Sequence, residues 1–127
     1  MNFKLASKQI NLRELISFRI WVDHTLYKKY SNRMAIFSYR LKAYLPNCHS
    51  LKEKRGVIKS LISKIQLKFR ISAAEIGFQD VWQTTEIGMV WIISENKVGQ
   101  KMLENIKEYL YNDFPYLYIE SEYVEIL

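Results

Sequence analysis

A chain of 127 residues with 49% hydrophobic and 14% aromatic content can bury one sizeable core, and its length argues against two independent domains. Only four Gly and two Pro, with no low-complexity run, exclude a disordered or collagen-like chain. The single cysteine, Cys48, excludes an internal disulfide and fits a reducing, cytoplasmic setting, while no apolar run reaches the roughly 18 residues that cross a bilayer.

The net charge of +6 is sorted along the chain. Residues 1–70 hold 16 Lys/Arg against three acids, and residues 71–127 hold three Lys against ten acids. Such a field steers a polyanion toward one side of a small domain, unless acidic elements fold back beside the basic ones.

In chain order, residues 1–33 form a basic extension. They have no secretory apolar core, and their Arg/Lys-rich, acid-poor make-up faintly resembles an organelle transit peptide. Asn11 and Glu14 have capping-box spacing, which predicts a helix over about 12–30. Met34 opens the first clean strand pattern and reads as an alternative start. From there Ala35, Phe37, Tyr39, Leu41 and Ala43 alternate with Ile36, Ser38, Arg40, Lys42 and Tyr44, which predicts a half-buried strand ended by Pro46-Asn47.

Ser50 and Glu53 repeat the capping-box spacing and open the best-specified helix, with Leu51, Ile58, Leu61, Ile62, Ile65 and Phe69 on its apolar face. Short apolar residues 71–78 and the β-rich residues 84–94 follow as strands, joined through residues 79–83. The second of these is apolar on both faces, which predicts an inner strand at least partly buried on each side. A second helix begins at residues 94–97, with Val98, Met102, Leu103, Ile106, Tyr109 and Leu110 at helical spacing; Pro115 stops it, and residues 118–127 are a last strand. The order strand, helix, strand, strand, helix, strand is that of the α+β, ferredoxin-like βαββαβ arrangement: a four-stranded antiparallel sheet with two helices on one face. The domains expected are therefore 1–33, a helical N-terminal extension, and 34–127.

The run Pro46-Asn47-Cys48-His49-Ser50-Leu51-Lys52-Glu53-Lys54-Arg55 resembles the signature of the YlxP-like family, small bacterial domains of unknown function. The likeness continues through residues 57–61, Phe69, Ala74-Glu75, Gln79-Asp80-Val81-Trp82-Gln83 and the ending 122–126, and covers about 34–127. It implies the ferredoxin-like fold and an association with translation, since members are often encoded beside ribosome-maturation and initiation genes. The sequence departs from the usual pattern at Gly77-Phe78 and Thr84, which bears on whether the 79–83 loop keeps the family's ligand.

On a helical wheel Lys52, Arg55, Lys59 and Arg70 fall in one stripe, a basic ridge suited to phosphates; a solvated helix face is the competing reading. His49, Ser50, Lys52 and Lys54 cluster at the helix start, where free N–H groups hold anions, although Ser50 already has a capping role. Arg40 and Lys42 share a strand face with Tyr44, and of Tyr39, Tyr44, Trp82 and Trp91 bases would stack only on those that point to the open sheet face or its rim, which most are not expected to do; core packing is the better reading of Tyr39. Gln79, Asp80, Trp82 and Gln83 form a loop available to a partner. No His/Cys/acid spacing suggests a metal, no glycine fingerprint suggests a cofactor, and Cys48, His49 and Asp80 make no catalytic set. The expectation is a non-enzymatic module associated with RNA or a ribosomal subunit. A protein-interaction or homodimerising domain that uses the open sheet face is the alternative.

Overall fold

The computed structural model describes residues 34–127; the helix expected over about 12–30 lies outside them. Strand β1 (Ala35–Tyr44) leads to helix α1 (Leu51–Phe69), strands β2 (Ser72–Gly77) and β3 (Thr84–Ile93), helix α2 (Asn96–Asp113) and strand β4 (Tyr118–Ile126). The sheet runs β2-β3-β1-β4 with every neighbouring pair antiparallel, the ferredoxin-like order. Each helix connects strands that are not neighbours, and crossovers of one hand put both on the same side of the sheet. No helix among the described residues is long and apolar enough to cross a membrane.

The alternation in β1 decides which side is dry. Phe37, Tyr39, Leu41 and Ala43 are buried, and so are their partners Trp91, Met89, Ile87 and Thr85 on β3. Ile58, Leu61 and Ile65 of α1 and Ile106 and Leu110 of α2 close over them. Gly99 lets α2 come this close, because a Cβ there would run into the Phe37 ring.

Local chemistry sets the helix ends. Ser50 is the extended N-cap of α1 and its Oγ accepts from Glu53 N at 3.1 Å, while Glu53 Oε2 accepts from His49 N at 3.0 Å. The glutamate thus reaches one residue further back than the usual box. Arg70 closes α1 in the left-handed region at φ 53°, its N–H bonded to Gln66 O.

β3 is an inner strand as expected, but its outward side is left uncovered by the described residues. Val90 is 41% and Ile92 65% exposed, since both helices occupy the other face. β4 is an edge strand, tied down by a polar cluster. Tyr39 Oη donates to Glu122 Oε2 at 2.6 Å and Lys107 Nζ donates to Glu122 Oε1 at 3.0 Å. These donors hold the Glu122 carboxyl below its ordinary value despite partial burial. Burial, with Glu122 beside it, pushes the Tyr39 phenol far up.

Candidate nucleic-acid interface

The two segments that carry the family resemblance meet at one end of the sheet. The β1–α1 turn and the β2–β3 loop are stitched by Leu45 N to Gln83 O at 2.8 Å and by Gln83 Nε2 to Cys48 O at 3.3 Å. Arg55 on α1 reaches Asp80 in the same loop at 3.6 Å, with both side chains largely exposed.

Lys54 is the largest departure from the sequence expectation. Instead of joining the cluster at the helix start, it is fully buried. Its Nζ donates to the Phe78 carbonyl and lies 3.1 Å from Glu75 Oε2, which also accepts from Thr85 Oγ1. The reason is helical phase: Lys54 stands four residues before Ile58, on the face turned to the sheet. Phe78 sits in the left-handed region at φ 57°, a conformation that disfavours a side chain by about 1–2 kcal/mol. The charged donor on its carbonyl helps to hold it there. Lys54 therefore shapes the loop and is withdrawn from any ligand.

Lys52, Arg55 and Lys59 do stand together on the outside of α1. Lys52 and Lys59 have no carboxylate within ion-pair distance among the described residues, and the late glutamates do not cap the ridge. Arg70 is exposed, but it is the left-handed C-cap after the helix ends at Phe69, so wheel arithmetic no longer fixes the direction of its side chain. Lys68 is drawn aside over the Tyr109 ring, 4.2 Å from its centre.

Arg40 and Lys42 do not join the ridge either. They project from the side of the sheet opposite α1, where Arg40 lies 5.0 Å from the centre of the Tyr123 ring and Lys42 lies 4.8 Å from that of Phe78 and 3.8 Å from Glu120. Tyr44 shares that side. At the helix start the Ser50 hydroxyl and the His49 amide are engaged in capping.

In the loop, Gln83 is a half-buried staple and Gln79 Nε2 donates to Glu75 O, whereas Asp80 and Trp82 face outward, Trp82 at 43% exposure. Of the aromatics considered for stacking, Tyr39 and Trp91 are core residues, Trp91 parallel to Phe37 at 5.4 Å between ring centres. Sequence reasoning missed Phe78 and Tyr123, both exposed on the open side. Only the register, which pairs Tyr123 with Arg40, reveals that position. Cys48 is buried in a small hollow lined by Leu45, Asn47, Glu53, Val57 and Tyr116. Burial, then Glu53, pushes its thiol up, the opposite of what a nucleophile needs.

The fold and this end of it define a small ferredoxin-like domain in which a basic helix face adjoins an exposed, aromatic-bearing loop. The chain belongs to the family described as "Protein of unknown function (DUF503)", whose model matches residues 36–123. It is similar to "Uncharacterized protein YlxP" of Bacillus subtilis (strain 168), with 39% identity over 66 residues, covering 52% of this chain and 71% of the relative.

Proposed function

We propose that the domain is a non-enzymatic RNA-binding module that works in association with the ribosome. It holds the phosphate backbone on Lys52, Arg55 and Lys59 and offers Trp82 as a surface on which a base stacks. The observation that carries this reading is the ridge itself: three cations on one exposed helix face, of which, among the described residues, only Arg55 meets an acid, and that acid is on the surface. Cations left without carboxylates are what a polyanion needs, since each phosphate they neutralise releases counterions. The association with translation that the family resemblance implies points the same way.

The test is fluorescence anisotropy of a labelled ribosomal RNA fragment over a salt series, with the wild-type chain and the Lys52→Glu/Arg55→Glu/Lys59→Glu variant. Losing three phosphate contacts should weaken binding at least about tenfold and flatten the plot of log K against log salt by about 2–3. Binding that ignores salt, or a variant with unchanged affinity and slope, rejects this surface.

A further inference from the structure

The side of the sheet that faces away from the helices differs in kind from the ridge. Arg40 and Lys42 are its only cations among the described residues, and Glu86, Glu120 and Glu125 stand on the same side or at its margin, so it does not attract a polyanion. It is rich in exposed apolar surface instead. Ile92 is 65%, Tyr123 51%, Ile76 47% and Val90 41% exposed. An apolar face of this extent with one ion pair among the described residues has the make-up of a protein interface.

The register shows which protein it fits. Across the two central strands, Ile36 lies beside Ile92, Ser38 beside Val90, Arg40 beside Gly88 and Lys42 beside Glu86. We propose that this face joins two copies of the chain, with the sheets stacked about a twofold axis running along the strands between β1 and β3. That axis exchanges β1 with β3, so each residue meets its own cross-strand neighbour from the second copy. Lys42 meets Glu86 of the other copy and Glu86 meets Lys42, while Ile36 and Ile92 meet in the same reciprocal way. About this one axis the Lys42/Glu86 pair matches in charge and the Ile36/Ile92 pair in apolar character.

Size agrees. Four strands about 4.8 Å apart, each about nine residues of about 3.3 Å, project roughly 570 Å². With the relief of the side chains this approaches the scale of about 800 Å² per partner in a standard interface. Aligned sheets stack about 10 Å apart with strands turned by about 30°, which this axis permits. Edge-to-edge pairing through β4 is the poorer arrangement, because it brings Glu120, Glu122 and Glu125 of two strands together. Stacked sheets leave both α1 ridges outside, so dimerisation and RNA binding are separable.

Sedimentation of the full chain over a concentration series tests the pairing through Lys42→Glu and Glu86→Lys. Each reversal sets like charges face to face and should weaken self-association about thirtyfold or more. Mixing the two variants should restore the dimer. In the mixed pair the glutamate introduced at position 42 of one copy faces the lysine introduced at position 86 of the other, and the native Glu86 of the first faces the native Lys42 of the second. Within each variant chain the neighbouring charges stay alike, so recovery on mixing reports contacts between copies alone. Ile92→Asp, at the most exposed apolar position, is a second variant that should dissociate the pair, with circular dichroism confirming that each protein is folded. A wild-type chain that stays monomeric throughout, variants that remain dimeric, or reversed chains that fail to reassemble on mixing each overturn the proposal.

Discussion

The outer face of α1 and the open face of the sheet both display basic residues and use them differently. On α1, Lys52 and Lys59 extend from the surface with no acid in reach among the described residues. On the sheet, Arg40 lies against Tyr123, and Lys42 against Phe78 and Glu120. A third case stands two residues from Lys52, where Lys54 is folded inward onto Glu75 and the Phe78 carbonyl. What a lysine can do is therefore set by the face it occupies, and a count of charges along the chain averages over three situations.

Lys54→Met should break this comparison most visibly. Removing the ammonium leaves Glu75 without its charged partner and the Phe78 carbonyl without that donor in a mostly dry site, and breaking such a pair costs about 3 kcal/mol or more. Lys52→Met on the same helix should change stability by no more than about 0.5 kcal/mol. Urea unfolding of the two variants measures the contrast; equal losses would mean that the buried ion pair does not hold the loop.

Tyr39→Phe sharpens the comparison on the β4 side. It deletes the donor to Glu122, which is partly exposed and retains Lys107, so the expected cost is about 1 kcal/mol at neutral pH. Glu122 is held below its ordinary 4.5 in the folded state, so its contribution is complete above that value and is lost as pH falls through the lower folded one. The gap between wild type and variant should accordingly close in acid, as thermal unfolding across pH would show. At the other extreme, the folded state keeps Tyr39 protonated, so wild-type stability also declines as pH rises past the ordinary phenol value of 10.0.

Asp80→Ala is the smallest change expected. The Arg55–Asp80 pair is exposed, and its loss should alter stability by less than about 0.5 kcal/mol. Freed from its one acid among the described residues, the ridge should bind RNA a few-fold more tightly at low salt in the anisotropy assay. A fall in affinity instead would make Asp80 a contact in its own right.

Much of this was readable in advance where the signal is local. The two-residue period of β1, the Ser50/Glu53 spacing and the stop at Pro115 each act through neighbours in the chain, and the elements they predict are present with ends moved by one or two residues. The site was less legible. Nothing near Lys54 in sequence announces Glu75 or the Phe78 carbonyl, which lie more than twenty residues downstream. Tyr123 joins Arg40 only because β4 pairs with β1. Arg70 marks the limit of such reasoning, since a wheel carries a stripe past the point where the helix has ended.

The amino-acid order by itself determined which segments become helices and strands, the βαββαβ succession and the concentration of positive charge in α1, because these depend on periodicity and caps within a few residues. Tertiary structure decided which lysines are available. Burial and ion pairing depend on groups brought together across the sheet, and those distances come into being only when the strands take the order β2-β3-β1-β4.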